Sequence, residues 1–487
     1  MNSFPGTLIQ IHYHDRPCGV MQVMRSYARI FSKIPGAKRT LLICSRESTE
    51  AYPEFPEGAI LDLPEAAYKT FRNLSGISVT CQEIFARISA LLVSEVLEKP
   101  VALMAHNLTL CKNAALVCAF AKLAKKFSSE KSAFRFYSVV HDFAEEGRVA
   151  QLDEIYRFRK AGIDIRESIW PVGVPFGIIT INARAAATLR RAGRKPMLLE
   201  NPVRQIPSAG KSKTRSVLMR KLVSHAREKN ISFDPALPVY AYPARTIARK
   251  NPLEAILFAC ILRHANLLVG GCGSIAADRR LHSRMRALTK ELRLPVVADI
   301  QTILSMRDIY HVADAVISTS VSEGFGYLFY EPWLYGKSVC GRRPIGFSFP
   351  RRMTEPFLYD RLPVPADWVP VKSARKKSDP YIDFALLDDH SQIRLIRKLT
   401  LSRGMLNEWQ ALLEQPLDGW PGLSSMTAMK TAAILKNSRV VISEFSENTM
   451  GRKFARILRK VPKPAAARIK QEIIAEDFGD MRVFRVR

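Results

Sequence analysis

One stretch of the chain holds residues able to do oriented polar chemistry: Val316-Ile-Ser-Thr-Ser-Val-Ser-Glu-Gly-Phe-Gly-Tyr-Leu-Phe-Tyr-Glu331. Two carboxylates, Glu323 and Glu331, stand eight residues apart in it. Gly324 and Gly326 allow tight backbone geometry and close approach of a ligand. Amides at the start of a following helix can donate to an anion. Pro332 is tolerated only near a first helical turn, which sets Glu331 at the start of that helix. A second stretch, Val239-Tyr-Ala-Tyr-Pro-Ala-Arg-Thr-Ile-Ala-Arg-Lys-Asn251, carries Arg245, Arg249 and Lys250. Carboxylates are strong, oriented acceptors for hydroxyls, and the cations suit an anion. Taken singly, the acids also fit a plain strand–loop–helix junction, and the cations a basic loop before a helix.

The elements that must position these residues read as an α/β alternation. Strands are expected at Thr7–His14, Thr40–Ser45, Ala59–Leu63, Val101–Asn107, Phe134–His141, Gly177–Ile181 and Met197–Glu200. Helices fall between them at Val20–Ser32, Ile84–Leu97, Ala114–Lys126 and Ala183–Ala192. Asn201–Thr214, with Pro202, Pro207 and Gly210, reads as a linker. The alternation restarts with strands Pro238–Tyr242, Ala265–Gly270, Pro295–Ala298 and Asp314–Thr319. Its helices are Leu253–Leu262, Ala276–Glu291 and Thr302–Ile309. Strands that read as continuous apolar runs imply parallel sheets covered on both faces. Phe347–Pro380 shows no clear period. Asp388–Leu413, Ser425–Lys436 and Ile469–Glu476 read as helical. The expected domains are 1–205, 206–436 and a basic C-terminal extension, 437–487.

The segment from Glu323 to Glu331 resembles the E-x7-E motif of retaining glycosyltransferases of family 4. Arg245 and Lys250 match that family's basic pair at the first strand of its second domain. The resemblance implies the GT-B fold: two Rossmann-like domains facing across a cleft, here with a helical C-terminal extension. It implies a nucleotide-sugar donor, with Glu323 on the hexose and Glu331 on the ribose, and a hydroxyl acceptor that is a glycan, a lipid or a small hydroxy acid. The Gly324-Phe325-Gly326 amides would address the sugar and diphosphate. Arg245 and Lys250 would stabilise the leaving nucleotide diphosphate. In the first domain, Gly19 stands where the family often has a Gly-Gly loop. His141, ending Ser138-Val-Val-His-Asp142, resembles the family's His at the donor hexose. His106 and Asp142 are acceptor-site candidates, and Leu199-Glu-Asn-Pro-Val203 resembles a turn leading into the interdomain linker. Gly341-Arg-Arg-Pro and Leu358–Val369 are similar to a bacterial subgroup, some members of which make glycosylated small acids such as glucosylglycerate derivatives. Transfer would retain the anomeric configuration through an oxocarbenium-like transition state. It needs no cofactor and no metal, the basic pair supplying the charge, and domain closure would exclude water.

Composition bounds the rest. The 487 residues, 47% apolar, suffice for two or three domains. With 74 basic against 45 acidic residues the net charge is +29, which favours anionic partners. Basic residues concentrate at Lys211–Lys229, Arg342–Arg352, Lys372–Lys377 and Arg452–Lys463. These runs allow peripheral contact with anionic membrane, while nucleic acid is not the expected partner. A basic binding protein that keeps the fold without catalysis, or a nucleotide-sugar epimerase, is the rival reading. The first would show salt-steep anion binding without nucleotide-sugars; the second would turn over with no acceptor. Met1–Gln10 has no basic n-region and no apolar run long enough for a secretory leader. The apolar runs near Ala114–Ala121 and Ala255–Leu262 fall short of a membrane span. Eight scattered cysteines without a C-x-x-C pair suit a reduced, cytoplasmic setting, and no Cys/His cluster has metal-ligand spacing.

Overall fold

The computed structural model describes every residue except 1–3, 129–132, 147, 160–161, 205–213, 274, 370–378, 427–428 and 480–487. The described residues form two compact units. One comprises the chain through Pro202 together with the chain from Glu444 onward; the other is Val203–Ser443.

The first unit holds β1 (Thr7–His14), α1 (Gly19–Ser32), β2 (Arg39–Ser45), β3 (Ile60–Asp62) and α2 (Leu74–Val93). It continues through β4 (Val101–His106), α3 (Ala114–Phe127), β5 (Phe134–Val140), α4 (Val149–Tyr156) and α5 (Ile165–Ile169). β6 (Phe176–Thr180), α6 (Ala183–Arg191) and β7 (Met197–Leu198) complete the run. The strands pair in the order β3-β2-β1-β4-β5-β6-β7. β1 runs parallel to β4 from Thr7↔Val101 to Ile11↔Ala105, and β4 to β5 from Val101↔Phe134 to His106↔Val139. Every position of β1, β4 and β5 is buried, as in a sheet covered on both faces. Strand order reverses between β1 and β4, so the crevice of this sheet lies at their carboxyl ends.

α2 starts at Leu74 rather than at the expected Ile84. Asn73 caps it by accepting from the Gly76 amide at 2.9 Å. Ser75 and Gly76, weak helix formers, hide that start in the sequence. By length and composition α2 could cross a bilayer, which a count of uninterrupted apolar runs misses. Here Ile77, Cys81, Ile84, Ile88 and Leu92 are buried in the core of the unit.

In the second unit α7 (Arg215–Glu228), capped by Thr214, occupies most of the first basic run. There follow β8 (Val239–Tyr242), α8 (Pro252–Ile256), β9 (Asn266–Val269), α9 (Ala276–Glu291), β10 (Val296–Val297) and α10 (Met306–Val312). β11 (Ala315–Ser318), β12 (Ser338–Arg342) and β13 (Leu358–Tyr359) complete a parallel sheet ordered β10-β9-β8-β11-β12-β13. β14 (Pro363–Pro365) and β15 (Tyr381–Asp383) form a separate antiparallel pair, before α11 (Asp389–Leu401), α12 (Arg403–Glu414) and α13 (Thr431–Phe445). The run Lys372–Lys377 lies outside the described residues. Here strand order reverses between β8 and β11.

The helix expected after Gly326 is instead two 3-10 turns, Tyr327–Phe329 and Glu331–Tyr335. Gly336 at φ 68° ends the second turn and β12 follows at once, leaving no room for an α-helix. Asp388–Leu413 breaks at Ser402, whose hydroxyl accepts from the Met405 amide and caps α12. The aperiodic stretch after Phe347 contains strands of two or three residues, too short to show alternation.

The chain from Glu444 is not a separate extension but part of the first unit. α14 (Glu447–Arg459) buries Met450, Phe454, Ile457 and Leu458, and Phe454 stacks on Tyr27 of α1 at 4.9 Å. Tyr137 of β5 donates to the Lys460 carbonyl at 3.0 Å. α15 (Gln471–Gly479) packs on α6, where Asp477 meets Thr188 and Arg191. The expected extension starting at 437 is therefore corrected: its basic character conceals an apolar face that completes a core. The expected boundary after residue 205 lies outside the described residues.

Candidate functional site

β8 and β11, neighbours at the reversal of the second sheet, each end in a loop that carries charge. The two loops are joined by their backbones, Val321 N donating to Arg249 O at 3.0 Å. Thr319 donates to the carbonyls of Lys250 (3.1 Å) and Asn251 (2.8 Å), and the Tyr242 hydroxyl also reaches the Lys250 carbonyl. These bonds fix Lys250 so that its ammonium donates to Glu323 Oε1. The pair is largely withdrawn from water, the side chains 17% and 7% exposed. Arg249 Nη1 lies 3.9 Å from Glu323 Oε2 and donates to the Ser322 carbonyl at 3.1 Å. Burial pushes the Glu323 carboxyl upward, but Lys250 and Arg249 outweigh it and hold the group below the usual carboxylate range. Burial lowers the Lys250 ammonium, with Glu323 opposing.

Glu331 opens the second 3-10 turn, nearly buried, and accepts from the Tyr310 hydroxyl of α10 at 3.1 Å. Gly326, at φ 79°, takes a backbone conformation that side chains rarely adopt. The Phe325 ring is not offered to a ligand: it stacks on Tyr330 at 4.9 Å. Of this residue only the backbone is placed for binding.

Arg245 is exposed on a loop that is tied down from below. Thr246 N donates to Gly271 O at 2.9 Å, and the Thr246 hydroxyl meets His282 Nδ1 at 2.8 Å. His282 Nε2 lies 3.1 Å from Asp299, and Gln301 bridges Gly271 N and Pro243 O at 2.8 Å each. Gly270 lets β9 approach this loop, since a Cβ there would stand 2.2 Å from Ala244 O. Beneath Lys250, Arg342 of β12 is bidentate to Glu254 of α8 (2.8 Å twice) and to Asp383 of β15 (2.9 and 2.6 Å). Asn251 donates to Glu254 at 2.7 Å, joining the loop to this cluster.

The first unit presents a histidine cluster at the carboxyl ends of β1, β4 and β5. His106 Nδ1 lies 3.0 Å from His141 Nε2, and His12 Nδ1 lies 3.4 Å from the His106 carbonyl. His14 Nε2 meets the Tyr68 hydroxyl at 3.2 Å. Burial lowers His141 to about 4 and His12 to about 3, so both are neutral near pH 7. Asp142 accepts from Arg148 at 3.2 Å, and its amide donates to Asn107 Oδ1 at 3.1 Å. Gly19 is exposed at the start of α1, and a Cβ there would meet nothing within 4 Å.

The structure thus gathers Arg245, Lys250, Glu323, Gly324, Gly326 and Glu331 on the two loops after β8 and β11 and the turn that follows. It places His141 and Asp142 together on the first unit. His106, read as an acceptor contact, is fully buried behind His141 and is corrected to a supporting position. Sequence reasoning passed over His12, His14, Tyr310, Thr246, His282 and Asp299, whose partners lie on other elements. Arg249, a spare cation in sequence, is the second neighbour of Glu323. Among the described residues no group of three His, Cys, Asp or Glu is arranged to hold a metal ion.

No protein-family model matches the chain. The chain is similar to mannosylglucosyl-3-phosphoglycerate synthase of Petrotoga mobilis, 24% identical over 407 residues, 80% of this chain and 75% of the relative. It is similar in structure to a glycosyltransferase from Rickettsia africae ESF-5, with a TM-score of 0.51 at 15% identity, covering 94% of this chain and 98% of that one. The catalytic domain of starch synthase IV from Arabidopsis thaliana, bound to ADP and acarbose, matches with a TM-score of 0.54 at 11% identity, covering 94% and 100%. The fold is the GT-B fold, two Rossmann-like units on parallel sheets. These likenesses, each at 24% identity or below, show the fold.

Proposed function

We propose that the chain is a retaining hexosyltransferase akin to family 4, moving a hexose from a nucleotide-diphosphate sugar to a hydroxyl of a small anionic acceptor. The observation that carries this reading is the Lys250–Glu323 pair, with Glu331 on the next turn, at the strand-order reversal of the second sheet. That is where open α/β sheets bind ligands. Glu323, held ionised, accepts from hexose hydroxyls, and Glu331 accepts from the ribose. Lys250 and Arg245 face the diphosphate.

In the proposed step the bond from the anomeric carbon to the β-phosphate oxygen breaks. The acceptor oxygen forms its bond on the same face, and its proton passes to the departing phosphate oxygen. The cations stabilise the charge that develops on the leaving group, and the reaction needs neither a protein nucleophile nor a divalent ion. The first unit serves the acceptor side through Asp142, while His141 addresses the donor hexose. The relative named for mannosylglucosyl-3-phosphoglycerate, together with the net charge of +29, supports a phosphorylated glyceric-acid acceptor or its glycoside. Eight free cysteines support action in the reducing cytoplasm.

The test is calorimetry of the purified chain against UDP, GDP, ADP and their hexose conjugates, followed by transfer assays with 3-phosphoglycerate and its glucosyl derivative. One nucleotide should bind saturably and lose its binding in Glu331→Ala. No binding by a folded protein would overturn the reading in favour of a basic scaffold, and turnover of donor without acceptor would favour epimerisation.

A further inference from the structure

The first unit contains a cavity of about 720 Å³ on its helical layer. That volume lies within the roughly 300–1,000 Å³ of small-ligand pockets. None of the rim residues His12, His14, His106, His141 or Asp142 lines it. Much of its wall is apolar, from Ile77 and Cys81 of α2, Cys118 and Ala121 of α3, and Trp170 and Ile469, with Ser78, Ser168 and Gln471 interspersed. Burial pushes both thiols upward, so they stay protonated and behave as small hydrophobes. Val172, also in the lining, is 42% exposed, so the apolar wall reaches solvent there.

The charged part of the lining comprises Lys122, Lys125, Arg166 and Arg468 together with Asp164 and Glu167, a net excess of two positive charges. Arg166 is engaged by Asp164 and Arg468 by Glu167. Lys122 and Lys125 are both exposed on α3; Lys122 interacts with the Cys81 thiol of the wall, and neither lysine is in an ion pair with another described residue. Hydroxyls set against the stretch formed by Ile77, Val174 and Trp170 would be buried beside apolar side chains, a costly placement, although Ser78, Ser168 and Gln471 stand elsewhere in the lining. An acyl chain would match the wall, and an anionic head would meet the two lysines.

We propose that this cavity is a second ligand site, which takes a single-chain amphiphile with a carboxylate or phosphate head. The site is independent of the glycosyl-transfer reading. One wall comes from Arg468, Ile469 and Gln471, so an occupant also bridges the C-terminal segment to α2 and α3.

The experiment is titration calorimetry of the full chain with dodecanoate and with dodecyl phosphate, each below its micellar concentration, and with dodecyl maltoside as the neutral-headed control. At least one anion should bind at a single site, and the tighter of the two identifies the headgroup. Lys122→Glu should weaken binding about tenfold, equivalent to about 1.4 kcal/mol. Ala121→Trp should abolish it by filling the cavity, with nucleotide binding intact. Ser78→Trp, at an exposed position of the lining, gives the same block should Ala121→Trp fold poorly. Absence of binding by both anions, equal binding of the maltoside, or indifference to the charge reversal and to the blocking tryptophans would overturn the proposal.

Discussion

Lys250 Nζ donates to Glu323 Oε1 across two loops that follow neighbouring strands, β8 and β11. A buried ion pair adds little net stability, because the desolvation of both charges offsets their attraction. The contact is better understood as preorganisation: each charge is held in place before a ligand arrives. Lys250→Ala and Glu323→Ala should each lower kcat/KM for transfer by about a hundredfold or more. The double variant should be little worse than either, since the two act as one unit. Circular dichroism should show the variants folded, and near wild-type turnover in either single variant would remove the pair from the mechanism.

Tyr310 supplies Glu331 with a hydrogen bond to a charged acceptor, and such bonds are worth about 1.5–3 kcal/mol. Tyr310→Phe should therefore raise KM for the donor about tenfold while leaving kcat nearly unchanged, because Glu331 is proposed to hold the ribose and not the reacting carbon. A fall in kcat at constant KM would place Glu331 at the reaction centre instead.

The strand alternation and the two doubly wound sheets were legible because they rest on local pattern, apolar runs divided by glycine- and proline-bearing loops, whereas residues 245, 250, 323 and 331 were singled out by resemblance to a family motif and lie on the loops after β8 and β11 and the turn that follows. Tyr310 was not legible, because its partner is twenty-one residues away on a different element. The same holds for His282, linked to Thr246 across thirty-six residues. His106 misled because a polar residue ending a strand reads as a rim residue, whereas β4 is central and carries it into the interior. The C-terminal helices misled through charge: α14 is basic on its exposed face, and only the packing of Phe454 on Tyr27 shows what the other face does.

If Lys250 and Arg245 neutralise the leaving diphosphate, a divalent ion has no charge left to supply. Transfer should then persist at full rate in excess EDTA. Strict dependence on added Mg²⁺ or Mn²⁺ would show that the cations alone do not carry the leaving group.

Arg342 is bonded on both edges by Glu254 and Asp383 and is almost fully buried. Removing one partner of such a cluster leaves uncompensated buried charge, at a cost of about 3–5 kcal/mol. Arg342→Ala should lower the thermal midpoint by several degrees. Because Glu254 also holds Asn251, it should weaken nucleotide binding through the loop that carries Lys250. A variant as stable as wild type would mean that the cluster is dispensable.

The histidine cluster makes stability depend on pH with a definite sign. Burial holds His141 near 4 and His12 near 3, against about 6.5 in the unfolded chain. The groups around His141 are His106, His12 and Asp142, of which Asp142 alone favours its protonation. Between pH 6.5 and about 4 the unfolded chain binds protons that the native state does not. Stability is therefore complete above pH 6.5 and is lost as pH falls through that window. One pKa unit corresponds to about 1.4 kcal/mol, so His141 contributes on the order of 3 kcal/mol of this loss. Urea midpoints measured from pH 7.5 to 4.5 should fall steadily, and His141→Asn should flatten the slope by about one proton. An unchanged slope in that variant would mean that His141 takes up its proton in the folded protein as readily as in the unfolded chain, and would overturn the downward shift assigned to its burial.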